Sequence, residues 1–131
     1  MTDPMVDAAR LAMSRAYAPY SHYRVGAALR AADGTIVPGC NVENASYPAG
    51  ICAERTALSA AIALGHREFT ALTIAVESDR PATPCGICRQ ALAEFAPRLP
   101  IQSISSTGVE QRWTLDALLP APFTVEVLRH A

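Results

Sequence analysis

The chain has 131 residues, half of them apolar and 18% charged, with a net charge of −1. That length suits one domain around one hydrophobic core, and the composition excludes a disordered chain. All eleven basic residues are Arg, scattered singly, so no concentrated basic face is expected and no nucleic acid partner with it.

No stretch approaches the ~20 apolar residues that a membrane-crossing helix needs, so no membrane partner is expected. Met1-Thr2-Asp3-Pro4 lacks a basic region followed by an apolar core. A cytoplasmic location is therefore expected, where the four Cys stay reduced and metal or redox roles come before disulfides. With no repeat, low-complexity tract or dividing linker, a single domain over residues 1–131 is expected.

Asp3 to about Tyr17 reads as a helix, with Asp3 as cap, Pro4 at the first position, and Met5, Ala8, Ala9, Ala12, Met13 and Ala16 at helical spacing. Ala18-Pro19-Tyr20-Ser21 ends it, and Tyr17 and Tyr20 read as packing residues. Val25–Leu29 and Thr35–Val37 read as two strands joined by an Ala32-Asp33-Gly34 turn. Gly26 in the first of them marks a bulge or a close backbone approach. Asn41–Tyr47 is polar and irregular, and it ends beside Cys52, where it is expected to line a pocket.

Cys52 to about Leu64 reads as a second helix stopped by Gly65. Phe69–Val76 reads as a buried strand, and Gly86 or Ile87 to Ala96 as a third helix stopped by Pro97. Ile101–Ser105 and Gln111–Thr114 read as strands, and Thr114 is expected to cap a short helix ending at Leu118. Pro120 and Pro122 punctuate the tail, and Phe123 precedes a last apolar stretch. Strand pairs with intervening helices predict an α/β sandwich with a mixed sheet.

Chemistry concentrates in Cys52-Ala53-Glu54-Arg55 and Pro84-Cys85-Gly86-Ile87-Cys88. Each opens a predicted helix, where the dipole favours anions and lowers thiol pKa values. Cys-x-x-Cys spacing lets two sulfurs chelate one ion, so Cys52, Cys85 and Cys88 are expected to hold zinc. Three ligands leave a fourth position for water, which zinc makes more acidic. Glu54 is then the expected proton carrier. Three thiolates overcompensate a dication, so a cationic partner is expected beside them: Arg55 first, Arg89 second. Cys40 reads as a buried inert thiol, with a fourth ligand of a closed structural site as the alternative. His22, His66 and His130 read as surface residues. A structural zinc interaction module and a Cys85–Cys88 redox protein are competing readings, but neither gives Glu54 a purpose.

Taken together, Ala18-Pro19-Tyr20-Ser21, Val25–Leu29, Gly39-Cys40-Asn41-Val42-Glu43-Asn44-Ala45-Ser46-Tyr47, Cys52-Ala53-Glu54-Arg55-Thr56-Ala57, Pro84–Gln90, Leu118-Leu119-Pro120 and Phe123 resemble the small homotetrameric zinc-dependent cytidine deaminases. The resemblance covers nearly the whole chain. It implies a three-layer α/β/α sandwich around a five-stranded mixed sheet. It also implies hydrolysis of cytidine and deoxycytidine to uridine and deoxyuridine, with release of ammonia. A deaminase for a nucleoside antibiotic such as blasticidin S shares the same zinc core.

Carried onto matching positions, the resemblance gives Cys52, Cys85 and Cys88 one Zn2+ per subunit and gives Glu54 the proton shuttle. Asn41 and Glu43 would bind the ribose 3′-hydroxyl, and the backbones of Ala53 and Ala45 would address the base. Tyr23, a Phe in most members, would stack on the pyrimidine. Tyr47 and Phe123 would reach a neighbouring subunit's site, Tyr47 at the ribose and Phe123 over the base. The position of Arg24 is variable in the family, and no role is assigned to it.

Overall fold

The computed structural model describes residues 2–130. Helix α1 spans Pro4–Ser14, and the Asp3 carboxylate caps it by accepting from Met5 N–H at 2.9 Å. It stops three residues short of Tyr17. Tyr17 leaves the helix to make an isolated bridge to Val42, donating to the Asn41 carbonyl at 3.0 Å and accepting from Glu43 N–H at 2.8 Å. The backbone of 41–43 needs partners, and residue 17 supplies them better than another helical turn.

Strands β1 (Val25–Ala31) and β2 (Ile36–Cys40) form the expected hairpin, with Gly34 at φ 91° in its turn. Strand β2 runs past the expected Val37, through Pro38, which is tolerated because β2 is a sheet edge. Strands β3 (Phe69–Val76), β4 (Pro100–Ile104) and β5 (Glu110–Thr114) complete a five-stranded mixed sheet in the order β2-β1-β3-β4-β5. Within this sheet the β3–β4 pair is parallel and the β1–β2, β1–β3 and β4–β5 pairs are antiparallel.

Helices α2 (Ala53–Ala63) and α3 (Gly86–Ala93) follow the hairpin and β3 respectively, and α4 (Leu115–Leu118) follows β5. Thr114 sits at the N-cap of α4 but makes no capping bond, contrary to expectation. The apolar tail forms a short helix, α5 (Val125–Arg129), capped by Thr124, with Val125, Val127 and Leu128 exposed.

Alternation along the strands divides the interior into two unequal cores. Leu29, Val37, Leu72, Ile74 and Ile101 pack with Ala57, Leu58, Leu92 and Leu115 on the α2–α3 side. Ala28 and Ala75 meet Met5 and Ala9 of α1 on the other side. The small residues there let α1 lie close to the sheet. A Cβ on Gly26 would stand 1.9 Å from the Ala9 carbonyl, so Gly26 marks the close approach and not a bulge. The register shift in β1 lies instead between Arg30 and Ala31. Gly39 does the same on the opposite face, where a Cβ would stand 2.3 Å from Ala57 N. Paired positions share a face, and Gly39 pairs with Ala27, the neighbour of Gly26. One glycine thus admits α1 and the other α2, which makes the three α/β/α layers.

Candidate metal centre and substrate cavity

Cys52 is the N-cap of α2 and Cys85 the N-cap of α3, both in extended backbone, with Cys88 one turn into α3. Because α2 packs on α3, the two N-termini bring three sulfurs to one point. The Cys52–Cys85 and Cys85–Cys88 sulfurs are 3.7 and 3.5 Å apart, and all three lie within 4.8 Å of one another. An ion bound tetrahedrally at ~2.3 Å holds its thiolates about 3.8 Å apart, so this donor set fits zinc. Cys88 is buried, Cys52 half-buried and Cys85 exposed.

Hydrogen bonds from Cys88 and Arg55 pull the Cys52 thiol down to about 5. Cys88 is pushed up because it gives its proton to Cys52 and is buried. A second thiolate is therefore unfavourable without a cation beside it, which is the setting a dication relieves. Arg55 Nη2 donates to Cys52 Sγ at 3.7 Å, and its buried Nε has no protein partner. A guanidinium held this way is the charge counterweight that three thiolates require. Arg89 does not take that place. It donates to the Pro84 carbonyl at 2.7 Å, the Leu118 carbonyl at 3.0 Å and Thr83 Oγ1 at 3.0 Å, so it ties the Cys85 loop to the end of α4.

Cys40 stands apart from the three sulfurs and is half-buried, not buried as expected. Its Sγ faces the Arg15 carbonyl at 3.8 Å. Tyr17 and Tyr20 are likewise exposed, not packed, because the segment that carries them runs over the surface. Tyr20 instead meets Tyr47 edge to face at 6.2 Å. His22 is exposed, as expected.

A cavity of about 260 Å³ opens at the thiols, lined by Cys52, Cys85, Ala53 and Glu54 together with Ser21, Asn41 and Glu43. Tyr23, Val25, Ile74 and Val76 line it too. Glu54 is buried, and its carboxyl is pushed up to about 7, first by burial and then by the Cys52 charge. That value lets it both take and give a proton near neutral pH. Burial and then the Glu54 charge also raise the Tyr23 phenol.

The sugar-side candidates are held rigidly. Asn41 Nδ2 donates to the Tyr23 carbonyl and its Oδ1 accepts from Val25 N–H, both at 2.8 Å. Glu43 accepts from the Ser21 hydroxyl on Oε2 and from Ser21 N–H at 3.1 Å and Tyr20 N–H at 3.0 Å on Oε1, and these bonds, the hydroxyl's first, hold its carboxyl below the ordinary range. Ala45 lies on the exposed loop outside this cavity. Tyr47, 77% exposed, lines a neighbouring cavity of about 360 Å³. Phe123 is 57% exposed, with its backbone clasped by the Gln90 side chain. Sequence reasoning missed Ser21, Gln90 and Thr83 as site supports. Their signal was their adjacency to Tyr23, Arg89 and Cys85.

The family model described as the cytidine and deoxycytidylate deaminase zinc-binding region matches residues 2–102. A cytidine deaminase of Sporosarcina psychrophila is 42% identical over 130 residues, covering 98% of this chain and 96% of its own. The crystal structure of cytidine deaminase from Burkholderia pseudomallei superposes with a TM-score of 0.88 at 44% identity, covering 94% of this chain and 100% of that one. A blasticidin-S deaminase of Bacillus cereus is a more distant relative, 28% identical over 129 residues. With the thiol cluster, the buried carboxylate and the three-layer fold in place, the chain belongs to the zinc-binding cytidine and deoxycytidylate deaminase family.

Proposed function

We propose that this chain hydrolyses cytidine and deoxycytidine to uridine and deoxyuridine, releasing ammonia. The observation that carries the reading is the cavity itself. The buried Glu54 shares the lining of this cavity with Cys52, Cys85, Asn41 and Glu43, and Cys88 completes the thiol cluster.

Cys52, Cys85 and Cys88 would hold the metal, and Arg55 would steady their charge through Cys52. Zinc, when bound, acidifies water so that hydroxide is available near neutral pH. Glu54 would accept one proton of the attacking water and deliver it to N3 of the base, where it stays as the N3–H of the product; it would then carry the second proton, from the new C4 hydroxyl, to the exocyclic amine, which departs as ammonia and leaves the C4 carbonyl. Protonating N3 lowers the base's aromatic resistance to attack at C4. The Ala53 N–H lies in the first turn of α2, whose backbone donors lack helical partners, so it is free to orient the base. Tyr23 offers its ring for stacking, and Asn41 and Glu43 hold the ribose 3′-hydroxyl.

In this reading the chain works as one domain over residues 1–131, in the cytoplasm, in pyrimidine salvage. It forms a homotetramer with shared sites. Tyr47 and Phe123, both exposed and outside their own subunit's cavity, serve a neighbour's ribose and base, and the Ala45 backbone helps address the base. No helix among the described residues is long and apolar enough to cross a membrane.

The test follows cytidine absorbance with purified protein, with and without a zinc chelator. Turnover that the chelator abolishes is expected. Turnover of blasticidin S without turnover of cytidine or deoxycytidine would transfer the reading to the antibiotic deaminases.

A further inference from the structure

The turn between α1 and β1 carries a polar side chain that the chemistry above does not use. Ser21 lines both the cavity over the thiols and the neighbouring one beside Tyr20 and Tyr47. Its hydroxyl donates to Glu43 Oε2, while its backbone N–H donates to Glu43 Oε1 at 3.1 Å. The same hydroxyl accepts from Tyr23 N–H at 3.1 Å. One oxygen atom thus joins two residues that line the substrate cavity.

The acceptor half of this arrangement is an ordinary serine turn. The donor half is not local, because Glu43 lies on the segment after β2. A hydroxyl has a single proton to give, and here the carboxylate takes it, so the rotor is fixed. Glu43 has two backbone donors on Oε1 and the Ser21 hydroxyl on Oε2, which leaves Oε2 lone-pair capacity for one more donor. A sugar hydroxyl is a donor of that kind.

The turn is tightly held on both sides of Ser21. His22 adopts φ 58°, uncommon for a residue with a side chain, and its N–H is secured by the Ala18 carbonyl at 3.0 Å. Arg24 pairs with Glu77 and also reaches the Ser14 carbonyl at 3.4 Å. A residue held in such a conformation between two anchors has little freedom to swing away.

We propose that Ser21 is a positioning residue. It locks the Glu43 carboxylate and the Tyr23 backbone into one unit, and through Glu43 it sets the preference for nucleosides that carry a free 3′-hydroxyl. The inference rests on the deaminase reading and on Glu43 as the 3′-hydroxyl acceptor. Without the Ser21 hydroxyl, Glu43 Oε2 loses its protein partner, and the terminal torsion of a glutamate is broad. The carboxylate is then held through Oε1 alone, and Oε2 is free to turn away from where the sugar presents its hydroxyl.

The experiment compares kcat/KM for cytidine with that for 3′-deoxycytidine in the wild type, Ser21→Ala, Ser21→Thr and Glu43→Ala. The ratio of the two substrates is independent of the fraction of enzyme that is folded. The wild type should favour cytidine. Ser21→Ala should cut that preference about tenfold, mainly through KM, as expected for a weakened bond to a charged group. Ser21→Thr keeps the hydroxyl and should keep the preference. In a Glu43→Ala background, Ser21→Ala should change the ratio no further. A Ser21→Ala enzyme with the full wild-type preference, beside a Glu43→Ala enzyme that has lost it, overturns the inference and leaves the Glu43 assignment standing. A wild type that does not turn over cytidine, or a Glu43→Ala enzyme that keeps the preference, overturns the underlying reading and the inference with it.

Discussion

Arg55 reaches back along α2 to Cys52, with Nη2 3.7 Å from Sγ and Nε buried without a partner. The two residues sit three apart at the start of the helix, so the backbone itself brings them to one face. The guanidinium is thereby directed at the thiols. Replacing it with Gln removes the charge and the fork while keeping a polar chain. Arg55→Gln should weaken zinc binding by about 10–100-fold, the usual cost of losing such a supporting contact. Competition with a chromophoric chelator measures it, and an unchanged affinity would mean that Arg55 does not support the metal.

Glu54 and Cys40 make opposite predictions for activity and metal. Glu54→Gln preserves shape in a buried place, so one zinc per chain and the fold should be retained. Deamination should fall by at least about 10²–10⁴-fold, the range for losing a general acid–base group. Cys40→Ala should leave both zinc content and activity near wild type, because its sulfur stands outside the cluster. Metal analysis beside a cytidine assay reads both. Zinc loss in Cys40→Ala would close the fourth position and end the catalytic reading.

Glu43 ties a stability change to pH. Hydrogen bonds from Ser21 and Tyr20 hold its folded carboxyl below the ordinary value of 4.5. A depressed folded value contributes stability above the unfolded value and loses it as pH falls through the folded one. Glu43→Gln should therefore lower the thermal midpoint relative to wild type near neutral pH, and the two proteins should converge in acid, below 4.5. Midpoints taken across that range check the sign. A gap that widens in acid would contradict it.

Gly26 and Gly39 are where the layers touch. A Cβ on Gly26 would press on the Ala9 carbonyl and Met13 N, and one on Gly39 would press on Ala57 N and the Ala53 carbonyl. All of these are backbone atoms that cannot swing aside. Either glycine changed to Ala should cost about 3 kcal/mol by overpacking, the upper end of the usual range. Chemical denaturation of the metal-free proteins measures the loss. Gly39→Ala should also weaken zinc binding, because Ala53 lies between Cys52 and Glu54, whereas Gly26→Ala acts on the far face.

Gln90 holds Phe123 by donating to its carbonyl at 2.8 Å and accepting from its N–H at 3.0 Å. Gln90→Ala should free the segment around Phe123. Amide exchange at Phe123 should quicken while the core strands stay protected. Unchanged exchange would mean that the clasp is not what orders this segment.

The local grammar of the chain determined a great deal. Asp3-Pro4 opened α1, Ala32-Asp33-Gly34 turned the hairpin, and Gly65 closed α2, because caps and turns depend on residues close in sequence. The Cys-Ala-Glu and Pro-Cys-x-x-Cys pairs declared their chemistry for the same reason: each is a short-range arrangement at a helix start. Tertiary structure decided which distant groups became partners. Arg55 and Arg89 each directly follow a Cys-bearing motif, yet only Arg55 bonds a sulfur, because the loop before α3 and the end of α4 offer Arg89 three oxygen acceptors. The helix begun by Asp3 looked able to continue to Tyr17, but pairing with Val42 drew that residue out. Ser21 read as part of a helix stop until the fold brought Glu43 against it. Backbone conformation follows from neighbours along the chain. Which side chains share a proton follows from how the layers pack, and that depends on all of the elements at once.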